Sequence, residues 1–409
     1  MKVTLKAESV VHGGETLARH DGRVVFLRGA APGDRVEAEL TGEGRFERTR
    51  ALRVVERSTS HVDPPCPIVE RCGGCPLQHV TYEAQLAAKE ELTADALERI
   101  GGFPRGSYEL EAIVPSPTQF RYRRRARLHR AAGGAWGFAQ AGAATVEPVD
   151  ECLLFEPLLE ELAQVARRAG ELPGVVDLGL LTGEKKGAID LRIEGPAAPG
   201  LRRRAEELLQ HPLVRGVTLA GSAIGDQVIV DAPLPNGARL RARPDTFAQA
   251  NRSMLPALQR EALRAVGDAE RVLELFCGSG TLTLPLLGRG QQVSAVENAG
   301  PSLALLRRSA DEARLAVKLI AGDAPAVVRA FADLVDVVLL DPPRSGAVDA
   351  VRALASLAPP RIAYVSCDAP TLARDGKLLA QSGYRLVRAV PLDLFPQTAH
   401  FEVVATFQR

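Results

Sequence analysis

The sequence predicts an α/β protein in which a doubly wound parallel sheet forms the carboxyl-terminal part and a small β module precedes it. From residue 244 onward, helical patterns such as SLALLRRSADEARL alternate with short apolar runs, which are RVLELF, QVSAVE, VKLIAG, DVVLLD and RIAYVS. This alternation is typical of βαβ units, whose ligands bind at the carboxyl ends of the strands. Two further runs, RLVRAVPLDLF and HFEVVATFQ, predict closing strands around the loop FPQTA.

Residues 1–58 predict the β module. Short runs of alternating apolar and polar residues, such as RVEAEL, are separated there by HGGE, HDGR, APGD and TGEG. Period-two runs between Gly/Asp turns predict a small antiparallel barrel or sandwich. Such a module either binds nucleic acid or sugar polymers on one face or is a purely structural β unit. Residues 59–243 form a central region with one clear helical segment, TYEAQLAAKEELTADALERI, and residues 244–409 hold the doubly wound sheet.

The composition limits the class of protein. Of the 409 residues, 46% are apolar and 25% are charged, which are ordinary values for a globular chain. The net charge of +1 gives no global attraction to nucleic acid, so any such binding requires a local patch. No secretory signal and no run of membrane-spanning length is evident, so we expect a cytoplasmic protein without membrane attachment. In that compartment, six cysteines favour metal binding or catalysis over disulfides.

A glycine loop follows the first strand of the predicted sheet. ELFCGSGTLTLPL leads from the strand through Gly278 and Gly280 into a helix, and these glycines permit close approach of a ligand to the backbone. The second strand ends at Glu297, where a carboxylate can accept hydrogen bonds from a ribose diol. The pattern predicts a nucleoside-type cofactor. Cys277 is expected to be a small structural residue beneath the loop.

Three more strand ends carry candidate site residues. The third ends near Asp323, and the fourth leads into Asp341 of DPPRSG, a rigid exit that either turns a carboxylate toward the cleft or simply terminates the strand. The fifth delivers Cys367 in YVSCDAPTLARD. On the strand pattern alone, Cys367 is either a small buried core residue or a thiolate nucleophile.

Four cysteines lie in the central region. CPIVERCGGCP holds Cys66, Cys72 and Cys75, separated by five and then two residues, and Cys152 follows in VDECLLF. Four thiolates can close a site for zinc or for an iron–sulfur cluster, and the chemistry of the donors leaves both open. The alternative is four unrelated thiols.

An arginine run, FRYRRRARLHR at residues 120–130, predicts RNA binding. Guanidinium groups pair with phosphates and stack on unpaired bases, as in the recognition of looped RNA. The alternative is a solvated face of an edge strand. The candidate RNA-binding residues are Arg121, Arg123, Arg124, Arg125 and Arg127.

Together, LFCGSG, LLDPPRSG, YVSCDAPTLARD and DLFPQTAHFE, with FAQAN at 247–251, resemble the motifs of the bacterial RNA uracil-5-methyltransferase family. They occur in the family's order, and the likeness covers almost the whole chain. Residues 1–58 are similar to the TRAM domain, an OB-like barrel, of the family's ribosomal-RNA branch. The resemblance implies a class I methyltransferase sheet, a TRAM-like barrel and a central mixed α+β iron–sulfur domain.

The resemblance also implies residue roles. Cys367 matches the thiolate that adds to uracil C6 and makes C5 nucleophilic toward the methyl group of S-adenosylmethionine, and Glu402 matches the base that removes the C5 proton. The spacing of Cys66, Cys72, Cys75 and Cys152 matches a 4Fe-4S site, with a structural role. The positions implied for S-adenosylmethionine are Gln249, Phe276, Gly278, Gly280, Thr281, Glu297, Asp323 and Asp341.

Two positions depart from the family pattern. Thr281 stands where many relatives carry Asn, and Pro370 stands three residues after the cysteine instead of two. Neither change removes a reacting group, although the second leaves the geometry after Cys367 open.

The predicted function is methyl transfer from S-adenosylmethionine to C5 of a uridine in 23S ribosomal RNA, with RNA as the partner and no obligate protein partner. The alternatives are the same reaction on transfer RNA, or a non-catalytic RNA-binding or assembly factor that kept the fold. A small-molecule methyltransferase is a third possibility, but it would have little use for a barrel domain and an arginine run.

Overall fold

The computed structural model describes residues 1–42, 44–143 and 145–409. An N-terminal sheet contains five strands, which are β1 (Lys2–Lys6), β2 (Thr16–His20), β3 (Arg23–Arg28), β4 (Arg35–Glu39) and β5 (Phe46–Glu56). Their spatial order is β1-β4-β5-β3-β2, and β3 and β5 are parallel while the other neighbours are antiparallel.

The expected module is thus present, but the expectation of a fully antiparallel one is wrong. The cause is the long strand β5, whose first half pairs with β3 and whose second half pairs with β4. The sheet curls as a result, and β1 and β2 at its two edges contact each other. Its core contains Leu5, Val25, Leu27 and Val36, all buried.

The predicted helical segment is confirmed as α1 (Tyr82–Arg99), and Thr81 caps its N-terminus by accepting from Ala84 N–H. The strand β6 (Glu109–Leu110) follows and pairs with the edge of the C-terminal sheet. Leu97 of α1 and the buried Phe103 and Tyr108 belong to the core of that sheet. This stretch of the predicted central region therefore packs with the C-terminal part of the chain.

The rest of the central region forms a seven-stranded sheet in the order β13-β12-β11-β10-β7-β8-β9. Only β11 and β12 are parallel among these described pairs. Its strands and two helices are β7 (Arg125–Arg130), β8 (Trp136–Ala139), β9 (Val146–Pro148), α2 (Pro157–Arg167), β10 (Val175–Thr182), β11 (Gly187–Ile193), α3 (Leu201–Leu209), β12 (Val214–Leu219) and β13 (Ser222–Gly225). A hairpin of β14 (Ile229–Pro233) and β15 (Arg239–Ala242) leads to the C-terminal part.

The C-terminal part is an eight-stranded sheet in the order β18-β17-β16-β19-β20-β22-β21-β6. Its elements after a short 3-10 helix (Arg252–Met254) are α4 (Leu255–Val266), β16 (Arg271–Leu275), α5 (Thr283–Gly288), β17 (Gln292–Glu297), α6 (Gly300–Glu312), β18 (Lys318–Ala321), α7 (Ala324–Ala330), β19 (Val337–Leu340), α8 (Val348–Leu357), β20 (Arg361–Ser366), α9 (Ala369–Gln381), β21 (Arg385–Leu392) and β22 (Glu402–Gln408).

The five apolar runs are thereby confirmed as the parallel strands β16 to β20. Strand β22 runs antiparallel to both of its neighbours, as expected for a closing hairpin. Buried apolar residues on the two faces of the sheet form two separate cores, so helices cover both faces. Within the described residues, we find no helix that combines the length and the apolar character needed to cross a membrane.

Candidate active site

The candidate residues meet at the carboxyl edge of the parallel sheet. Strands β18, β17, β16, β19 and β20 are consecutive and parallel, so the residues that follow them lie along one edge. These are Asp323, Glu297, the glycine loop 276–280, Asp341 and Cys367. The antiparallel strand β22 brings its first residue, Glu402, to the same edge beside the end of β20.

The glycine loop is held by the carboxylate of Glu297. Its Oε2 accepts from Gly278 N–H at 3.0 Å, while its Oε1 accepts from the backbone N–H groups of Asn298 at 2.9 Å and Ala299 at 2.8 Å. Gly280 has φ +94°, and a Cβ there would lie 2.5 Å from Leu306 Cδ1. Glycine is therefore required at 280 by both its backbone conformation and the close approach of α6.

Four further residues are predicted to bind the cofactor. Phe276 is half-buried and adopts φ +62°, a left-handed conformation unusual for a non-glycine residue. Thr281 is half-buried, and its carbonyl accepts from Gln259 Nε2 at 2.9 Å. Gln249 is buried, whereas Asp323 is exposed before α7. Phe276, Thr281 and Asp323 thus lie along the carboxyl edge of the sheet, and the cofactor-binding role of all four residues stays a prediction.

Cys367 lies half-buried between β20 and α9. Asp368 is the N-cap of α9, and its Oδ1 accepts from Thr371 N–H at 2.9 Å. Pro370 occupies the first turn of that helix, where the missing N–H has no intrahelical partner to lose. The shifted proline therefore fits a regular start of α9 directly after Cys367.

Glu402 is buried next to this thiol, with 4% of its surface exposed. Its Oε2 is buried and has no hydrogen-bond partner among the residues that the structure describes. Burial, and then the charge of Asp341, raise the pKa of Glu402 well above its usual range, while Arg344 opposes this. A carboxyl group with a raised pKa holds a proton more tightly than a solvent-exposed one, which suits a group that accepts a proton during the reaction.

The same groups act on the thiol. Burial, and then the charge of Glu402, raise the pKa of Cys367 to about 11, and Arg344 again opposes the shift. Burial also raises the pKa of Asp341 to about 7. Cys367, Glu402, Asp341 and Arg344 thus form one electrostatic cluster. In the free protein the thiol is mostly protonated at neutral pH.

The loop 341–346, which carries Asp341 and Arg344, is fixed by the end of the YVSCDAPTLARD motif. Asp375 is fully buried, and its Oδ2 accepts from Tyr364 OH at 2.7 Å and from Ala347 N–H at 2.8 Å. Arg374 donates from Nη2 to the carbonyl of Ser345 at 2.8 Å. The motif therefore supplies both the thiol and the bonds that hold the neighbouring loop.

A second network, which the sequence analysis missed, holds the loop 393–399 that leads to Glu402. Lys89 Nζ donates to Asp393 Oδ1 at 2.6 Å and to the carbonyl of Phe395 at 3.2 Å. Gln85 Nε2 donates to Gln397 Oε1 at 3.0 Å, and Gln397 N–H donates back to Gln85 Oε1. A signal existed, because Gln85, Lys89 and Thr93 recur every four residues and place polar side chains on the buried face of α1.

The four cysteines of the central region line one small cavity of about 40 Å³. Burial raises the pKa of Cys72, that of Cys75 to about 12 and that of Cys152 to about 11. Arg123 lines the same cavity, and its positive charge opposes each of these shifts. No group of three or more His, Cys, Asp or Glu in residues 1–42, 44–143 and 145–409 is arranged to hold a metal ion.

The arginine run divides between the interior and the surface. Arg124 is buried and pairs with Asp231 Oδ1 at 2.5 Å, and Arg125 donates to the carbonyl of Thr246 at 2.5 Å. Burial lowers the pKa of Arg125 to about 10. Arg121 and Arg127 are exposed. Arg121 and Arg124 precede β7, and Arg125 and Arg127 lie on one face of that strand, so the division follows from the long-range partners Asp231 and Thr246.

One exposed aromatic side chain lies beside this run and was not predicted to be functional. Phe247 is 63% exposed, in the FAQAN motif next to Thr246. A large apolar side chain held in water at this position offers a stacking surface for an unpaired base.

Comparisons with known proteins agree with this architecture. Residues 235–409 match the family model described as tRNA (Uracil-5-)-methyltransferase, and residues 1–42 match that of the TRAM domain. The chain is 36% identical to a 23S rRNA (uracil(1939)-C(5))-methyltransferase RlmD of Alkalilimnicola ehrlichii, covering 97% of this chain and 94% of that protein. It is 34% identical to an uncharacterized RNA methyltransferase of Thermosynechococcus vestitus, over 98% and 97% of the two chains.

The fold is also similar to a solved structure. The crystal structure of Pyrococcus abyssi tRNA (uracil-54, C5)-methyltransferase in complex with S-adenosyl-L-homocysteine superposes with a TM-score of 0.73 at 23% identity. The match covers 98% of this chain and 99% of that one. The two chains therefore share their overall fold.

Proposed function

The chain belongs to the RNA uracil-5-methyltransferase family, and from this premise we propose that it methylates C5 of a uridine in 23S ribosomal RNA. The observation that carries the proposal is the convergence of Cys367 and buried Glu402 at the cleft edge beside the glycine loop. The choice of ribosomal RNA is supported by full-length relatives named as 23S rRNA methyltransferases at 32 to 36% identity.

We assign the nucleophile to Cys367. Its thiolate adds to C6 of the uracil, and the C5=C6 electron pair moves to make C5 enolate-like. Because burial raises the thiol pKa to about 11, thiolate formation must accompany RNA binding. Arg344 opposes that shift and is the nearby cation that would stabilise the thiolate.

Glu402 is assigned as the base. Once C5 carries the new methyl group, its remaining proton must leave before the thiolate can be eliminated from C6. The free Oε2 of Glu402 points to no partner within the described residues, so it is available to accept that proton. Loss of the proton restores the C5=C6 double bond as the C6–S bond breaks, which releases 5-methyluridine and regenerates the thiolate.

The cleft suits S-adenosylmethionine, which supplies an electrophilic methyl group when bound. Gly278 leaves room for close approach to the backbone, Gly280 lets the loop pack against α6, and Glu297 lies at the end of β17 for a ribose diol. Asp341 follows β19, so it lies between the glycine loop after β16 and Cys367 after β20. Burial raises its pKa to about 7. Gln249, Phe276, Thr281 and Asp323 complete the proposed set.

For the four cysteines of the central region we propose a 4Fe-4S cluster, whose role would be structural because methyl transfer needs no redox step. The donors are four half-buried thiols around one cavity, and Arg123 places a positive charge beside an anionic group. Anaerobically purified protein should contain iron and sulfide. Cys72→Ala should lose both, whereas Cys277→Ala, at the buried cysteine under the glycine loop, should keep them. One zinc per chain and no iron would overturn the assignment.

We place the RNA on the surface formed by Arg121, Arg127 and Phe247. The two arginines are exposed and can pair with phosphates, and Phe247 can stack on an unpaired base. The half-buried Arg123 and Arg125 and the buried Arg124 act by holding the cysteine cavity and the FAQAN segment beneath that surface.

The proposal is tested by mass-spectrometric mapping of 5-methyluridine in ribosomal and transfer RNA purified from cells with and without the gene. Loss of one 23S site on deletion, and its return with the wild-type gene but not with Cys367→Ala, is the expected result. Loss of a transfer RNA site alone would reassign the substrate, and no loss in either RNA would overturn the proposed activity.

A further inference from the structure

The N-terminal sheet reaches the catalytic edge through one tight turn, residues 11–15. Val11 N–H donates to Glu15 O at 2.8 Å, and Gly14 N–H donates to Val11 O at 2.9 Å. Gly13 and Gly14 adopt φ values of +96° and +86°, which lie in the left-handed region that glycine favours. The turn presents His12 at its tip.

Packing fixes the position of this turn. A Cβ on Gly14 would lie 2.8 Å from Pro76 Cγ and 3.3 Å from Ala399 Cβ, so the backbone is wedged between the cysteine segment and the loop that leads to Glu402. Nearby, Val10 and Ala31 of the N-terminal sheet share a buried cluster with Leu77 and Val80. The turn is thus held independently of any contact that His12 makes.

His12 faces the residue after the catalytic cysteine. Its Nε2 lies 3.5 Å from Asp368 Oδ2, and the His12 side chain is 60% exposed while that of Asp368 is 22% exposed. The other Asp368 oxygen caps α9 through Thr371, and Asp368 N–H donates to Ser366 Oγ at 3.2 Å. Asp368 is therefore hydrogen-bonded to α9 through Thr371 and to the end of β20 through Ser366, and His12 contacts the carboxylate oxygen that these bonds leave free.

We propose that His12 is a positioning residue for methyl transfer, which through Asp368 fixes the orientation of the segment 366–371 that carries Cys367. The inference rests on the proposed function and adds a residue from the N-terminal sheet to the machinery of that site. Because Asp368 adjoins Cys367 in the chain, a shift of its backbone moves the thiol. The N-terminal domain thus has a role at the reaction centre apart from any contact with RNA.

Steady-state kinetics of full-length variants with 23S RNA test the proposal. His12→Ala is expected to lower kcat about two- to fivefold, the range that a solvent-exposed polar contact supports, with the KM for RNA unchanged. His12→Gln keeps an N–H donor and should recover most of the loss. Asp368→Asn should lower kcat similarly, and the double variant should lose no more than either single one. His211→Ala, at an exposed histidine that accepts from Leu213 N–H in the turn between α3 and β12, is the control and should match wild type.

A raised KM with unchanged kcat in His12→Ala, or additive losses in the double variant, would overturn the proposal. Hydrogen–deuterium exchange of a peptide covering 364–372 gives a readout that needs no activity. We expect faster exchange in His12→Ala than in His211→Ala, and equal rates would count against the positioning role. If wild type transfers no methyl group, the proposed function fails while the exchange result still decides whether His12 orders the segment.

Discussion

The buried ion pair between Lys89 and Asp393 gives a quantitative test of how the loop before Glu402 is held. Both side chains are at most 1% exposed, and Lys89 also donates to the carbonyl of Phe395. Lys89→Met keeps the length of the side chain but leaves a buried carboxylate without its cation. Breaking a buried pair from one side costs about 3–5 kcal/mol, so we expect the free energy of unfolding to fall by that amount.

The chain provides a matched control. Lys318 and Asp333 form a pair at 2.5 Å, close to the 2.6 Å of Lys89 and Asp393, but their side chains are 58% and 61% exposed. Lys318→Met should cost less than about 1 kcal/mol because solvent screens the pair. The double variant Lys89→Met with Asp393→Leu should recover much of the loss, since no buried charge remains.

Urea unfolding followed by far-UV circular dichroism measures all three variants. Equal destabilisation by Lys89→Met and Lys318→Met would refute the reasoning, because burial would then have no effect on the cost. Failure of the double variant to recover stability would show that Lys89 acts through packing and not through its charge.

Three further results are expected. The rate of Cys367 alkylation by iodoacetamide, measured on its peptide by mass spectrometry, should rise about tenfold per pH unit between pH 7 and 9, because the thiol pKa is raised to about 11. A plateau in this rate below pH 8 would contradict that pKa. Gly280→Ala should weaken S-adenosylhomocysteine binding at least tenfold in calorimetry, because a Cβ at this position meets Leu306. The control Gly290→Ala is also at positive φ but has open space around its Cβ, so it should cost only about 1 kcal/mol of stability. Equal binding of S-adenosylhomocysteine by both variants would remove the steric argument. Arg127→Gln should weaken RNA binding and reduce the salt slope by about one, while Arg124→Gln should chiefly destabilise the fold, and the reverse pattern would contradict the placement of the run.

Strand periodicity was enough to predict the parallel sheet and its carboxyl edge. Runs such as RVLELF and RIAYVS are apolar because both faces of the sheet are covered, and this pattern is local. The positions of Cys367 and Asp341 at strand ends follow from it. Glu402 needed the resemblance, because its burial depends on the antiparallel return of β22 beside β20.

Long-range packing decided what the sequence could not. The parallel pairing of β3 with β5 arises because β5 is long enough to pair with β3 along its first half and with β4 along its second half. Which arginines of the run face inward depends on partners such as Asp231, which lies 107 residues from Arg124. The approach of His12 to Asp368 joins residues from opposite ends of the chain, so nothing in either local sequence indicates it.

The covalent adduct between Cys367 and uracil C6 is the central claim, and a denaturing gel of Glu402→Gln incubated with 23S RNA and S-adenosylmethionine tests it most directly. We predict a protein–RNA species that survives denaturation, whose RNA is attached at Cys367 on peptide mapping, and no such species with Cys367→Ala. Normal turnover by Glu402→Gln without an adduct would remove Glu402 as the base, and methyl transfer by Cys367→Ala would contradict the mechanism itself.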